Sequence, residues 1–237
     1  MKLSIVIPTY NEANRIAILL HNLQQFYPES EIIVVDDGST DNTIKIADEL
    51  GAKIIPHQIN QGKGAAVRTG ILAAQGDVIA FMDADMAVPV IYIDDALKLL
   101  KNGADVVIGS RELPGSIVHR SFVRNLPGKA FSFTMRLLIG LPYKDTQCGF
   151  KFFKHLPAQK IFSEVKNKGW VFDVEVLLWA QQFGLNVVQM PVEWYERKGS
   201  KINIFRDGIK MVWSLFQIWE TRRKVEKRGR LVEDIVN

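Results

Sequence analysis

The chain has 237 residues, 47% of them hydrophobic and 24% charged, which suits one sizeable α/β domain and excludes a disordered chain, a collagen and a coiled coil. Its net charge of +4 hides a division: residues 1–113 carry 9 Lys/Arg against 15 Asp/Glu, while residues 114–237 carry 21 against 11. An acidic half suits a metal ion and a basic half suits phosphates or an anionic surface, and the single cysteine, Cys148, excludes a disulfide framework and points to a reducing compartment.

In chain order, Met1-Lys2 runs directly into a strand-like segment, with no cleavable leader expected. Leu3–Ile7 is a short apolar run of the buried-strand type, ending at Pro8. Asn11 is placed to cap a helix whose Ile16, Leu19, Leu20 and Leu23 recur at helical spacing. Glu31–Val35 predicts the second strand, and Asp41 caps a helix through Leu50 that Gly51 stops. Lys53–Ile55 predicts a third strand, Gly64–Ala74 a helix closed by Gly76, and Val78–Met82 a fourth strand. A helix from Val90 to Leu100 and a fifth strand, Asp105–Ile108, follow. Strand and helix alternating in this way predict an α/β fold: a mostly parallel sheet with helices on both faces. Ligands of such sheets bind beyond the C-terminal ends of the strands.

The second half is less regular. Ala130–Ile139 is apolar with basic residues interspersed, Gly149–Phe153 reads as a strand, and Phe172–Phe183 as a helix ended by Gly184. Val187–Trp194 reads as another strand, and Ile202–Glu220 as a long amphipathic helix followed by a basic tail. No apolar run approaches the roughly 20 residues that span a bilayer. The expectation is one catalytic domain over residues 1–201 and a C-terminal extension over residues 202–237.

Three parallel strands end in polar clusters: Pro8-Thr9-Tyr10-Asn11-Glu12, Asp36-Asp37-Gly38-Ser39 and Asp83-Ala84-Asp85. All three should converge on one edge of the sheet. Asp83 and Asp85 follow five apolar residues, where an unpaired charge is expensive to bury. Two hard oxygen ligands there suit Mg²⁺ or Mn²⁺ shared with a ligand's phosphates. Asp36 and Asp37 are placed either to form the turn before Gly38 or to accept hydrogen bonds from a base or ribose. Asn60–Gly64 resembles a phosphate-cradling loop, but it lacks Walker A spacing, and no Gly-x-Gly-x-x-Gly follows the first strand. Gly62 and Gly64 therefore serve a tight turn and close packing, with Lys63 and Arg68 in reach of a diphosphate.

The ordered set Ile7–Glu12, Val35–Asp41, Gly62–Arg68 and Asp83–Asp85 resembles the inverting GT-A glycosyltransferases. Gly109–Arg111, Asp145–Lys151 and Trp170–Glu175 sharpen the resemblance to the polyprenyl-phosphate branch, most closely the dolichyl-phosphate β-glucosyltransferases. The resemblance implies a Rossmann-like GT-A fold and a nucleotide-sugar donor. It implies that Pro8, Tyr10, Glu12, Val35 and Asp37 hold the base and ribose. Asp83, Ala84 and Asp85 would meet the diphosphate and metal, with Asp85 the principal ligand. A further ligand position of relatives is Ala87 here, so a water or backbone oxygen must substitute. Arg197 and Lys201 match the basic pair that grips the donor phosphates.

The reaction so implied moves a hexose from UDP-sugar to a polyprenyl phosphate with inversion, at the cytoplasmic face of a membrane. A GDP-mannose-dependent enzyme is the alternative within the fold, and a catalytically silent nucleotide-sugar sensor is the alternative outside enzymes. The acceptor is an anion, so cations must offset its repulsion from the donor. Arg111 matches the family's acceptor-phosphate position, and Arg120 and Arg124 join it by charge and neighbourhood. Asp145 is placed to orient the acceptor or a basic side chain. The aromatic face of Ile202–Glu220, followed by six basic residues from Arg222 to Arg230, fits a peripheral helix on anionic lipid. No recognised nucleic-acid module accompanies the basic tail.

Overall fold

The computed structural model describes residues 1–119, 140–169, 171–196 and 216–223. Its elements in chain order are β1 (Leu3–Thr9), α1 (Ala13–Phe26), β2 (Glu31–Asp36), α2 (Thr43–Glu49), β3 (Lys53–Pro56), α3 (Lys63–Ala73), β4 (Val78–Met82), α4 (Ile93–Lys101) and β5 (Val106–Ser110). After these come β6 (Ile117–His119), β7 (Phe150–Lys154), α5 (His155–Glu164), α6 (Phe172–Gln182), β8 (Val187–Pro191) and β9 (Glu193–Tyr195). Residues 216–223 are helical. The rest of the expected C-terminal helix, and the apolar segment Ala130–Ile139, lie outside the described residues.

Seven strands form one sheet in the order β3-β2-β1-β4-β7-β5-β8. All are parallel except β7, which runs antiparallel to both β4 and β5. Strand β7 is wedged into the middle of the sheet, so the loop before it arrives at the edge where β1, β2, β4 and β5 end. The residues that build these strands are apolar on both faces, as a covered parallel sheet demands. Val6, Ile33, Val35, Ile79 and Phe81 face α3, α5 and α6, while Leu3, Ile5, Ile7, Val34 and Ala80 face α1 and α4.

The expected and observed boundaries differ where local chemistry intervenes. Asn11 does not cap α1; it takes a left-handed backbone conformation, and its carboxamide oxygen accepts the Thr40 N–H at 2.8 Å. The predicted strand Val187–Trp194 divides at Pro191 and Val192 into β8 of the main sheet and β9, which pairs with β6 in a separate two-stranded sheet. Proline has no N–H to continue a ladder, so a change of sheet falls there naturally. Helix α5 was not among the expected elements; its Pro157 sits in the first turn, where proline is tolerated because its missing N–H would find no partner anyway. Gly51 and Gly184 do end α2 and α6, each with positive φ.

Candidate active site

The polar ends of β1, β2 and β4 meet at one sheet edge. At the end of β2, Asp37 is buried and turned toward the next loop: its carboxylate accepts the N–H groups of Gln61 at 2.9 Å and Gly62 at 2.7 Å. His57 Nδ1 lies 2.7 Å from the same carboxylate, and His57 Nε2 lies 3.0 Å from the Thr69 hydroxyl. Asp37 thus organises the loop that delivers Lys63. Val35 is fully buried in the core, so its side chain is beneath the site, not in it. Pro8 lies near the end of β1, and Tyr10 and Glu12 follow it at the edge itself, with Tyr10 exposed and Glu12 Oε2 paired with Arg15 at 2.8 Å.

Lys63 opens α3, and its Nζ sits 2.5 Å from Asp83 Oδ1. The first turn of α3 comes so close to residues 167–172 that only glycine fits: a Cβ on Gly64 would stand 2.4 Å from the Asn167 carbonyl oxygen. Burial opposes the charge on Lys63, but Asp83, Asp173 and Asp85 outweigh it and hold the amine protonated. Asp83 in turn depends on Gly149, whose missing Cβ leaves room for its carboxylate, and its N–H donates to the Gly149 carbonyl at 3.2 Å.

Asp85 occupies a tight turn in which Met86 has a φ of 50°. Its Oδ1 accepts the Ala87 N–H at 3.0 Å, while the Ala87 carbonyl accepts the Tyr195 N–H at 2.9 Å. Burial pushes the Asp85 carboxyl up, and the charge of Asp83 and then of Glu12 adds to that. Crowded acids of this kind favour a bound cation. Among the described residues no three His, Cys, Asp or Glu side chains converge as a metal cage. Two carboxylates without a full cage fit Mg²⁺ or Mn²⁺, which keep waters and share substrate phosphate oxygens. The residues present therefore fit such an ion.

At the end of β5, Arg111 forms a two-pronged pair with Asp145: Nε to Oδ2 at 2.6 Å and Nη2 to Oδ1 at 2.8 Å. The Arg111 backbone N–H adds a third bond at 3.0 Å. Burial alone would raise the Asp145 carboxyl, but Arg111 prevails and holds it below the usual carboxylate range. Trp194 connects the two sides. It lines a small cleft with Asp83, Ala87 and Gly149, and the Arg111 guanidinium lies 5.5 Å above its ring. Arg120, Arg124, Arg197 and Lys201 lie outside the described residues.

Sequence reasoning missed Trp194, His57, Lys151 and Asp173. Lys151 is completely buried and paired with Asp173, itself buried. The signal was present: a lysine inside Phe150-Lys151-Phe152-Phe153 and an aspartate inside Val171-Phe172-Asp173-Val174 each demand a partner. Cys148 offers no nucleophile, since burial first and Asp145 second push its thiol up to about 12.

A mostly parallel sheet with paired acids, a lysine and an arginine at its strand ends has the architecture of a sugar-transferring enzyme of the GT-A class. Comparison with known proteins agrees. The signature of glycosyl transferase family 2 matches residues 4–162. The dolichyl-phosphate beta-glucosyltransferase of Saccharomyces cerevisiae is 37% identical, over 90% of this chain and 72% of the yeast protein. The human protein of the same name is 34% identical, over 89% of this chain and 72% of its own length. Glycosyltransferase AglD of Haloferax volcanii is 30% identical across the whole chain, which spans only 40% of that protein. Among solved structures, glucosyl-3-phosphoglycerate synthase of Mycobacterium tuberculosis, in complex with Mn²⁺, UDP and glucosyl-3-phosphoglycerate, superimposes with a TM-score of 0.70. It is 19% identical and is matched over 93% of this chain and 79% of its own, a likeness of fold. The chain belongs to glycosyl transferase family 2, and it is a glycosyltransferase with the GT-A fold.

Proposed function

We propose that the protein transfers glucose from UDP-glucose to a polyprenyl phosphate, with inversion at the anomeric carbon, at the cytoplasmic surface of a membrane. The observation that carries this reading is the meeting of two charged sets at one sheet edge: Asp83 and Trp194 line a small cleft, Lys63 pairs with Asp83, and the Arg111 guanidinium lies 5.5 Å from the Trp194 ring. One sheet edge then presents carboxylates suited to a metal-bound donor diphosphate and a cation suited to an acceptor phosphate. The names of the yeast and human relatives supply the sugar and the lipid.

In this reading Pro8, Tyr10 and Glu12 border the base and ribose, and Asp37 acts by holding the Gln61-Gly62 loop against them. Asp83 and Asp85 would hold a divalent metal, whose chemistry is to offset charge on the departing diphosphate. Lys63, beside Asp83, adds a fixed positive charge on the same side. Arg111, held flat by Asp145, faces the acceptor phosphate, with Arg120 and Arg124 assigned to the same anion. Arg197 and Lys201 are assigned to the donor phosphates. A phosphate monoester is already anionic near neutral pH, so the protein need only position it and mask its charge. No described helix is long and apolar enough to cross a membrane. Residues 216–223 show Phe216 and Trp219 to solvent beside Arg222 and Arg223, with Ile218 anchored in the core. That arrangement supports a peripheral lipid contact within residues 202–237, packed onto a catalytic domain assigned to residues 1–201.

The test is a panel of nucleotide sugars with a defined polyprenyl phosphate and Mg²⁺ or Mn²⁺. Glucosyl lipid should form from UDP-glucose and be lost on chelation. Asp85→Ala should abolish it while unfolding at an unchanged temperature. Absence of lipid-linked sugar with every donor and metal would overturn the proposal, and preference for GDP-mannose would reassign the donor.

A further inference from the structure

Lys151 has no part in that scheme, and its cost needs a reason. It is fully buried in β7, in register with Phe81 of β4 and Ile108 of β5. Its Nζ donates to the Cys148 carbonyl at 2.8 Å, pairs closely with Asp173, and lies 5.2 Å from the centre of the Phe81 ring. Removing two charges from water is expensive, and well-packed apolar residues often replace a buried pair with no loss of stability. Stability is therefore a weak explanation for this one.

Its location offers a better one. The Cys148 carbonyl belongs to the turn over residues 145–149. At one end of that turn Asp145 grips Arg111 through three bonds. At the other end the Gly149 carbonyl accepts the Asp83 N–H, and the bare Cα of Gly149 fits against the Asp83 carboxylate. Asp173 stands in the first turn of α6, whose Phe172 packs against Gly64 beside Lys63. One buried pair thus ties the turn to the helix that abuts the start of α3.

We propose that Lys151, paired with Asp173, is a positioning residue that fixes the 145–149 turn and thereby the spacing between Asp83 and Arg111. The catalytic part of this inference rests on the glycosyl-transfer reading above; the positioning part does not. The geometry implies that losing the pair leaves each substrate able to bind but misaligned with the other. A misplacement of about 1 Å costs on the order of 100-fold in rate.

The experiment replaces the pair by neutral residues of similar size, Lys151→Met with Asp173→Asn. Hydrogen exchange is read at three amides: Arg111 and Gln147, which donate to Asp145, and Asp83, which donates to Gly149. These three should exchange at least tenfold faster while amides within β1 and β2 keep their protection. Turnover should fall about 100-fold in kcat, with KM for either substrate moving less than about threefold. Unchanged exchange at the three amides would overturn the proposal. So would a general loss of protection across the sheet, which would mark a purely structural pair. If the double variant does not fold, Lys151→Gln with Asp173→Asn, which removes both charges but keeps groups able to hydrogen-bond, is read in the same way, with smaller effects. Should the unmodified protein transfer no sugar, the functional reading fails, and the exchange data still decide whether Lys151 positions the turn.

Discussion

Gly149→Ala tests the Asp83 side of the cleft, proposed to face the donor, with one added methyl. The new Cβ would stand 2.0 Å from Asp83 Oδ2 and 2.4 Å from its Cγ. Ordinary contact between such atoms is about 3.5 Å, so the carboxylate must withdraw by on the order of 1 Å. Asp83 has little freedom to do so. Its backbone is bound to the Gly149 carbonyl, and its Oδ1 is held 2.5 Å from Lys63. Its side chain is one-third exposed, so rotation toward solvent is the open route, and it breaks the contact with Lys63. Overpacking of this kind costs about 1–3 kcal/mol in stability. The catalytic loss should be larger in proportion: about 100-fold in kcat/KM, equivalent to about 2.7 kcal/mol. Calorimetric titration of Mn²⁺ with UDP should show weakened binding, and thermal unfolding a modest decrease. Activity within threefold of the unmodified protein, with Mn²⁺ binding unchanged, would refute the placement of Asp83 against Gly149.

Three more substitutions probe other parts of the structure. Arg111→Met leaves Asp145 buried without its cation and should cost about 3–5 kcal/mol at neutral pH. Because Arg111 depresses the folded-state pKa of Asp145, the stability it provides is present above the unfolded carboxylate value of about 3.9 and lost as pH falls through the folded one. The deficit of the variant in urea unfolding should therefore shrink on acidification below about pH 4, and an equal deficit at pH 7 and in acid would contradict the pairing. Gly70→Ala would drive a Cβ to 2.3 Å from Val6 Cγ1, so α3 must lift from the sheet at a cost of about 1–3 kcal/mol; an unchanged melting temperature would show that the contact yields freely. Replacing Phe216 and Trp219 together by serine should lower co-sedimentation with anionic vesicles several-fold and leave the fold intact; undiminished vesicle binding would place the lipid contact elsewhere.

The strands of the first half were legible in the sequence because each is a short apolar run ended by a charged or turn-forming cluster. The convergence of the polar clusters after β1, β2 and β4 followed from the alternation of strands and helices, whereas the pairing of Lys63 with Asp83 depends on how α3 docks. Less was legible about β7. Phe150–Lys154 is buried whichever way it runs, so its apolar pattern carries no sign of direction, and its antiparallel insertion depends on the long connection before it. Asp37 illustrates a second gap. Its position at a strand end was plain, but its engagement with Gln61, Gly62 and His57 depends on the path of a loop twenty residues later. Lys151 and Asp173 were concealed by their apolar neighbours, which made both segments read as uniform core. Trp194 was read as the end of a strand, because the break at Pro191 that turns it toward the cleft is a tertiary event.

The reversed direction of β7 has an evolutionary consequence. The chain leaves the sheet at Arg111 and returns at Asp145, and these two residues clasp each other. The excursion between them starts and finishes at the same place, on the ligand edge. Such a cassette can be lengthened, shortened or exchanged without rethreading any strand of the seven-stranded sheet, provided β6 keeps its pairing with β9, since the entropy of closing a loop rises only slowly with its length. Asp83 and Asp85, proposed above to hold the donor's metal, follow β4, outside the cassette. On the proposed assignment of these residues, a lineage built on this plan is free to change what receives the sugar while leaving what delivers it untouched.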